Sequence, residues 1–276
     1  MKDINIVIVN FKMKDKISEC LDTLFLELAN STLNIQVTVV DNNSEDDSIA
    51  YLKERFKKVK YIEQEKNIGF GKSQNAGMLS CDATYYFALN PDTVFHPKEK
   101  TIERLYQFME SHPKVGMIGP KLVYPDGSLQ YSCWSYPSLF QPFFQRTKLG
   151  KTKWGEKKIA QHHMKDFDHN STIPVDAIMG SAMFARKTAV DEVGMFDKRY
   201  FMYYEDMDWS LSMWEKGWPV SYVHDIVLTH IHGRDSAKVP GVFRALIKNK
   251  LARIHLKSWF KFLLKWRGKK KYYTHN

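Results

Sequence analysis

The stretch "INIVIVNF" (residues 4–11) decides the fold. It is a near-continuous apolar run with asparagine only at positions 5 and 10. Such a run reads as a strand buried on both faces, the pattern of a parallel sheet covered by helices. Working outward, Ile17, Leu21, Leu24 and Leu28 fall at helical spacing between Lys16 and Asn30. "IQVTVVDN" (35–42) predicts a second strand ending in Asp41, "SIAYLKERF" (48–56) a helix, and "VKYIEQ" (59–64) a third strand. "GKSQNAGMLSC" (71–81) reads as helix and "ATYYFALNPD" (83–92) as a fourth strand ending in Asp92. Alternation of this kind predicts right-handed βαβ units and a mostly parallel sheet flanked by helices, an α/β fold. Asn10, Asp41, Asn67 and Asp92 fall at or just beyond carboxyl ends of these strands, where open α/β sheets bind ligands.

The remainder is less regular. From about Val115 to His232 the sequence mixes short strands with turn signals such as "PDGS" (125–128) and a loop-rich region from about Leu139 to Thr172. A helix is expected from Glu205 or Asp206, with Met207, Leu211 and Trp214 on one face and Gly217 as its stop.

Composition narrows the function classes. The 276 residues are 43% hydrophobic and 26% charged, an ordinary globular balance. Cys20, Cys81 and Cys133 are scattered and odd in number, which argues against a disulfide framework or structural zinc. No signal peptide is read at the amino terminus, and no run of about 18 apolar residues is found that would span a bilayer. The net charge of +10 is not spread through the chain. Residues 243–276 hold eight Lys, three Arg and no acid, leaving 30 basic and 31 acidic side chains elsewhere. A neutral body argues against a basic nucleic-acid groove in the main domain and for a separate C-terminal function. In that tail Phe243, Ile247, Leu251 and Ile254 fall at helical spacing, followed by dense Trp, Phe, Leu and Lys.

Five short motifs each have a plain structural alternative. "VVDNNSEDDS" (39–48) ends a strand in an acid that can accept the imide N–H of a pyrimidine base, or simply form an Asx turn. "NIGFGKSQNAG" (67–77) fails the dinucleotide spacing, since Gln74 stands where the third glycine belongs, but its turn could approach a phosphate or ribose. "ALNPDTVF" (88–95) offers Asp92 to a hard cation, or is an ordinary turn. In "LTHIHGRDS" (228–236) His230 and His232 would face one side of a strand, as a metal pair or as unrelated histidines. "FMYYEDMDW" (201–209) sets Glu205, Asp206 and Asp208 among aromatics. They form either an acidic helix start or a general base near a hydroxyl.

In this order, with "GSAMFARK" at 180–187 and the block from Gly180 to Gly217 as the most specific part, the motifs resemble the inverting glycosyltransferases of family 2. The resemblance is nearest to the rhamnosyltransferase-like branch and covers roughly residues 4 to 236. It implies a GT-A fold over residues 1–240, with a Rossmann-like nucleotide-sugar half to about 115 and an acceptor half from about 116 to 240. Residues 241–276 would be a basic amphipathic tail. It implies a dTDP- or UDP-sugar donor, with dTDP-rhamnose the best reading and a UDP-hexose the alternative, and a glycan or lipid-linked acceptor in polysaccharide biosynthesis.

On that resemblance Asp41 would meet the pyrimidine, and Asn10, Asn43, Asn67, Gly69, Gly71, Asn75, Asn90 and Asp92 would border the nucleotide sugar. Asp92 and His230 would hold Mg²⁺ or Mn²⁺, and Asp206 would be the base with Glu205 in support. Gly180, Tyr204 and Glu205 would line the acceptor side. Asn90 departs from the family by replacing the first acid of its DxD motif. The resemblance implies a cytoplasmic enzyme held peripherally to an anionic membrane face by its tail, with no nucleic-acid partner and with homodimerisation left open. The rival readings are a sugar nucleotidyltransferase, which needs a glycine-rich loop that "VNFKMKDK" lacks, and a non-catalytic membrane-binding module.

Overall fold

The computed structural model describes residues 1–137, 141, 144, 148–231 and 249–269. The apolar stretch at the amino terminus is strand β1 (Lys2–Asn10), followed by helix α1 (Lys14–Leu28), β2 (Ile35–Asp41), α2 (Ser48–Arg55), β3 (Lys60–Glu63), α3 (Phe70–Leu79) and β4 (Ala83–Leu89). Side chains alternate across a strand, so β1 feeds two cores. Ile4, Ile6 and Ile8 pack with Ile17, Leu21 and Leu24 of α1. Val7 and Val9 join Val40 and Met78 on the opposite face. Helix α3 lies so close to the sheet that a Cβ on Gly77 would stand 2.2 Å from Val7 Cγ1.

The chain continues through β5 (Thr93–Val94), α4 (Thr101–Ser111), β6 (Met117–Val123), β7 (Leu129–Gln130), β8 (Cys133–Trp134), α5 (Lys153–His162), β9 (Ile173–Pro174) and β10 (Ala177–Ile178). Then come β11 (Ala182–Arg186), α6 (Lys187–Val193), α7 (Glu205–Glu215), β12 (Val220–His230) and α8 (Lys250–Trp266). Ten strands form one sheet in the order β3-β2-β1-β4-β11-β6-β12-β5, with β7 on β6 and β9 on β12. The expected parallel pairing holds for β3, β2, β1 and β4. Beyond β4 the sheet is mixed, because β11 enters antiparallel to both β4 and β6. That direction has a consequence for the site. The residues just before β11 arrive beside the carboxyl end of β4, with Ala182 opposite Leu89.

Helix α7 starts at Glu205, as the sequence predicts, and Gly217 beyond it has φ +80°. The three cysteines are free. No helix among the described residues is long and apolar enough to cross a membrane. The tail helix begins at Lys250, capped by Asn249, whose side chain accepts from the Leu251 and Ala252 amides. Phe243, Ile247 and His232 lie outside the described residues. Helix α8 packs against the body: Phe262 and Trp266 join Tyr200, Met207 and Leu211 in a third apolar cluster.

Candidate active site

The carboxyl ends of β1 and β2 carry one hydrogen-bonded knot. Asp41 Oδ1 accepts from Asn10 Nδ2 (2.8 Å) and the Ser44 hydroxyl (2.5 Å), while Oδ2 accepts from the Ser44 amide (3.0 Å). This is the Asx-type turn that the sequence offered as the plain alternative. A carboxylate presents about four lone-pair positions, so Oδ2 retains capacity for one more donor. Asn43 follows in the left-handed region (φ 62°). Asn42 ties this turn to the next motif, donating to Asn67 Oδ1 (3.0 Å) and accepting from the Ile68 amide (2.9 Å).

The glycines and the amide of "NIGFGKSQNAG" serve the protein's own backbone. Gly69 has φ +90°, and a Cβ there would stand 2.1 Å from the Phe201 carbonyl oxygen, which accepts from the Phe70 amide (2.9 Å). A Cβ on Gly71 would stand 3.0 Å from Phe196 Cβ. Asn75 spends both side-chain groups on Phe196, donating to its carbonyl (2.8 Å) and accepting from its amide (3.0 Å). Asn75 and the two glycines thus hold the segment leading to α7 against α3.

At the end of β4, Asp92 Oδ1 lies 3.1 Å from His230 Nε2, and both residues are buried. His230 Nδ1 lies 2.7 Å from Gln130 Oε1, an oxygen that can only accept. With Nδ1 donating there, a neutral His230 turns the lone pair of Nε2 toward the carboxylate. Two acceptors at that separation require a proton or a cation between them. Bonds of about 2.1 Å leave neighbouring ligand atoms of one cation about 3 Å apart, so the pair fits a shared divalent ion as well as it fits a proton. Lys16 Nζ stands 3.7 Å from Asp92 Oδ2. Burial alone would raise the Asp92 carboxyl, but the His230 hydrogen bond and the His230 and Lys16 charges bring it below the usual range. Among the described residues no group of three His, Cys, Asp or Glu side chains could form a metal cage. A cation here would therefore complete its shell from water or bound phosphate oxygens.

The acids of α7 are placed by a turn in which Tyr203 and Tyr204 both adopt left-handed backbone (φ 72° and 68°). Asp206 accepts from the Gly180 amide through Oδ2 (2.9 Å) and from the Met207 amide through Oδ1 (2.8 Å). A Cβ on Gly180 would sit 3.2 Å from Asp206 Cβ and 3.3 Å from its Oδ2, so glycine is what admits the carboxylate. Glu205 is buried and its Oε2 has no hydrogen-bond partner. Burial, and then the neighbouring Asp206 charge, push Glu205 well above the carboxylate range. Burial also raises Asp206, opposed by the Gly180 and Met207 amides. Both carboxyls are raised, Glu205 the more strongly, so a proton shared by the pair is favoured on Glu205 over Asp206.

One dipeptide joins the two acid sites. Ser181 accepts the Asn90 amide at its carbonyl (2.9 Å) and the Asn90 side chain at its hydroxyl (3.4 Å), while Gly180 binds Asp206. The structure therefore brings Asn90, Asp92, His230, Gly180, Glu205 and Asp206 into one continuous arrangement. Sequence reasoning missed Ser181, Gln130 and Lys16. Gln130 had a weak signal, a lone amide in a short strand after the "PDGS" turn; Ser181 lay within the quoted "GSAMFARK" without a role assigned to it, and Lys16 had no signal.

Comparison with known proteins follows this geometry. The model of the Glycosyl transferase family 2 matches residues 5–170. An N-acetylglucosaminyl-diphospho-decaprenol L-rhamnosyltransferase of Mycobacterium tuberculosis is 28% identical over 217 residues, covering 75% of this chain and 69% of that protein. The low-salt glycan biosynthesis hexosyltransferase Agl10 of Haloferax volcanii is 23% identical, over 75% of this chain and 60% of that one. Among solved structures, S. aureus TarS 1-349 aligns with TM-score 0.57 at 14% identity, over 83% of this chain. GalNAc-T7 with UDP, GalNAc and Mn²⁺ aligns with TM-score 0.64 at 12% identity, over 97% of this chain. The chain spans 60% and 48% of those two structures, and the likeness is one of fold, GT-A.

The buried Glu205 yields a stability prediction. A carboxyl whose folded pKa is raised contributes stability that is complete below its unfolded pKa and lost as pH rises through the folded value, at about 1.4 kcal/mol per unit. Glu205→Gln lacks that loss. Its melting temperature should match the wild type near pH 4 and exceed it at pH 7, as thermal unfolding followed by circular dichroism can show. A lower melting temperature at pH 7 would refute a raised Glu205 carboxyl.

Proposed function

The chain belongs to glycosyl transferase family 2, and on that premise we propose that it transfers a sugar, with inversion, from a nucleoside-diphosphate donor to a hydroxyl of a glycan or lipid-linked acceptor. Residues 1–115 would bind the donor and 116–240 the acceptor. The observation that carries this reading is the Gly180–Ser181 bridge, which ties the Asp206 carboxylate to the Asn90 turn that leads to Asp92. Membership in the family sets aside the nucleotidyltransferase and the non-catalytic module. Likeness to a rhamnosyltransferase supports dTDP-rhamnose as donor. Likeness to a hexosyltransferase supports a UDP-hexose as the second reading.

In this mechanism Asp206 takes the acceptor's hydroxyl proton as that oxygen attacks the anomeric carbon. Two backbone N–H groups fix the orientation of the carboxylate, and burial raises its basicity. Burial disfavours a second charge on Glu205 beside it. Tyr204 immediately precedes helix α7 and would line the acceptor side. Asp41 offers its remaining lone pair to the base, and the Asn42–Asn67 bond holds the two strand-end turns together around it. Asp92 and His230 would hold Mg²⁺ or Mn²⁺, which would supply charge neutralisation for the departing diphosphate. Lys16 stands beside Asp92 with a further positive charge, which suits a site where Asn90 replaces an acid.

The tail fits a membrane-associated acceptor. Helix α8 turns Lys250, Arg253, Lys257, Lys261 and Arg267 outward together with Phe260 and Leu264, which are 57% and 56% exposed, and no acid interrupts this face. Anionic headgroups attract such a face by about 1 kcal/mol per basic residue, and the apolar pair adds buried area.

Two outcomes check these readings. Asp206→Asn should lower transfer by about 100- to 10,000-fold, the usual worth of a general base, while UDP or dTDP with Mn²⁺ still raises its melting temperature as in the wild type. Wild-type turnover by that variant removes Asp206 from the role. Phe260→Glu combined with Leu264→Glu should abolish sedimentation with phosphatidylglycerol vesicles, and undiminished sedimentation contradicts the docking face.

A further inference from the structure

Asp208 lies two residues beyond Asp206 and is 1% exposed. The helix N-terminus alone does not explain such burial, since a desolvated carboxylate needs specific donors. Three side chains supply them. Asp208 Oδ2 accepts from Lys265 Nζ (2.7 Å), while Oδ1 accepts from Trp266 Nε1 (2.9 Å) and the Tyr200 hydroxyl (3.0 Å). Lys265 also reaches Asp197 Oδ2 (3.0 Å). Two of the three donors come from α8, more than fifty positions away in sequence.

The same helix grips the segment that aims the catalytic acids. Ser258 donates to the Met202 carbonyl (2.8 Å) and Lys261 to the Arg199 carbonyl (2.6 Å). His255 meets the rings of Tyr203 and Tyr204 at centroid distances of 5.0 and 5.2 Å, and Phe262 meets Tyr204 at 5.2 Å. Consecutive left-handed residues that are not glycine cost of order 1–3 kcal/mol each and persist only where their surroundings hold them. Here α3 holds one side of the segment, through Phe70 on Phe201 and Asn75 on Phe196, and α8 holds the other. The family match ends at residue 170, so both the clamp and the turn it holds lie outside it.

We propose that Lys265 and Trp266 are positioning residues: through Asp208 and the Tyr203–Tyr204 turn, the C-terminal helix sets the orientation of Asp206 against Gly180. The proposal rests on Asp206 as the base for its consequence in turnover, but not for its structural content. A helix that was only a membrane anchor would need contacts on its outer face and none at Asp208. Clamping by α8 makes the tail part of the reaction centre.

The test reads the Gly180 and Met207 amides by hydrogen exchange in the full-length chain, since both donate to Asp206. Trp266→Phe keeps the ring and removes the N–H. Lys265→Met alone would strand a buried charge, so it is paired with Asp208→Asn, which removes both charges together. In each variant the two amides should exchange at least roughly ten-fold faster while β1 amides, which report global opening, are unchanged. Lys265→Arg should restore most of the protection. Donor turnover, measured as release of dTDP from dTDP-rhamnose or UDP from UDP-glucose with Mn²⁺, should lose kcat with little change in KM. Wild-type exchange at Gly180 and Met207 in either folded variant overturns the proposal. So does acceleration that extends equally to β1. Full activity of Asp206→Asn would sink the base assignment while leaving the exchange result to decide the clamp separately.

Discussion

Everything at this site depends on the direction of one strand. Because β11 runs antiparallel to β4, its leading residues Gly180 and Ser181 reach the carboxyl edge of the parallel half. There, three hydrogen bonds from two consecutive residues connect the Asn90 turn to Asp206. Had β11 been parallel, its leading residues would lie at the opposite edge and the acids would be separated by the width of the sheet. Gly180 adds a second condition, since any side chain there would meet the carboxylate it binds.

The electrostatics around α7 show how three acids within four residues acquire different surroundings from one helix start. Burial acts on all three. Asp206 receives two backbone amides, Asp208 receives an ammonium, an indole and a phenol, and the described Oε2 of Glu205 receives nothing. A macrodipole argument alone would treat them alike, because each lies in the first turn. Donor supply, not helix position, decides how strongly burial is opposed at each carboxyl. The same logic at β4 pairs Asp92 with His230 and sets Lys16 nearby.

Much of this was legible in the residues. The β1 run, the alternation through β4 and the start of α7 at Glu205 follow from local patterning, which reports faithfully where a segment is buried on known faces. The mixed half was not legible, because the strand that reverses direction is five residues long and carries no crossover helix to announce it. The roles of Asn75, Gly69 and Gly71 were legible as special positions, but their geometry commits them first to Phe196 and Phe201. Asp208 illustrates the limit most clearly. Sequence places it as an ordinary first-turn acid, and only the docking of α8 shows it as the anchor of a distant helix. Long-range donors leave no trace in local spacing.

The central claim is that one carboxylate serves the acceptor on one side while the strand-end acids serve the diphosphate on the other, so that a single displacement occurs. Proton NMR of the first-formed product tests this most directly, by comparing the anomeric configuration of the transferred sugar with that of the donor. The account predicts the opposite configuration at the anomeric carbon. A product with the donor's configuration would contradict it, since retention by double displacement would require a nucleophile on the face that this arrangement gives to the acceptor.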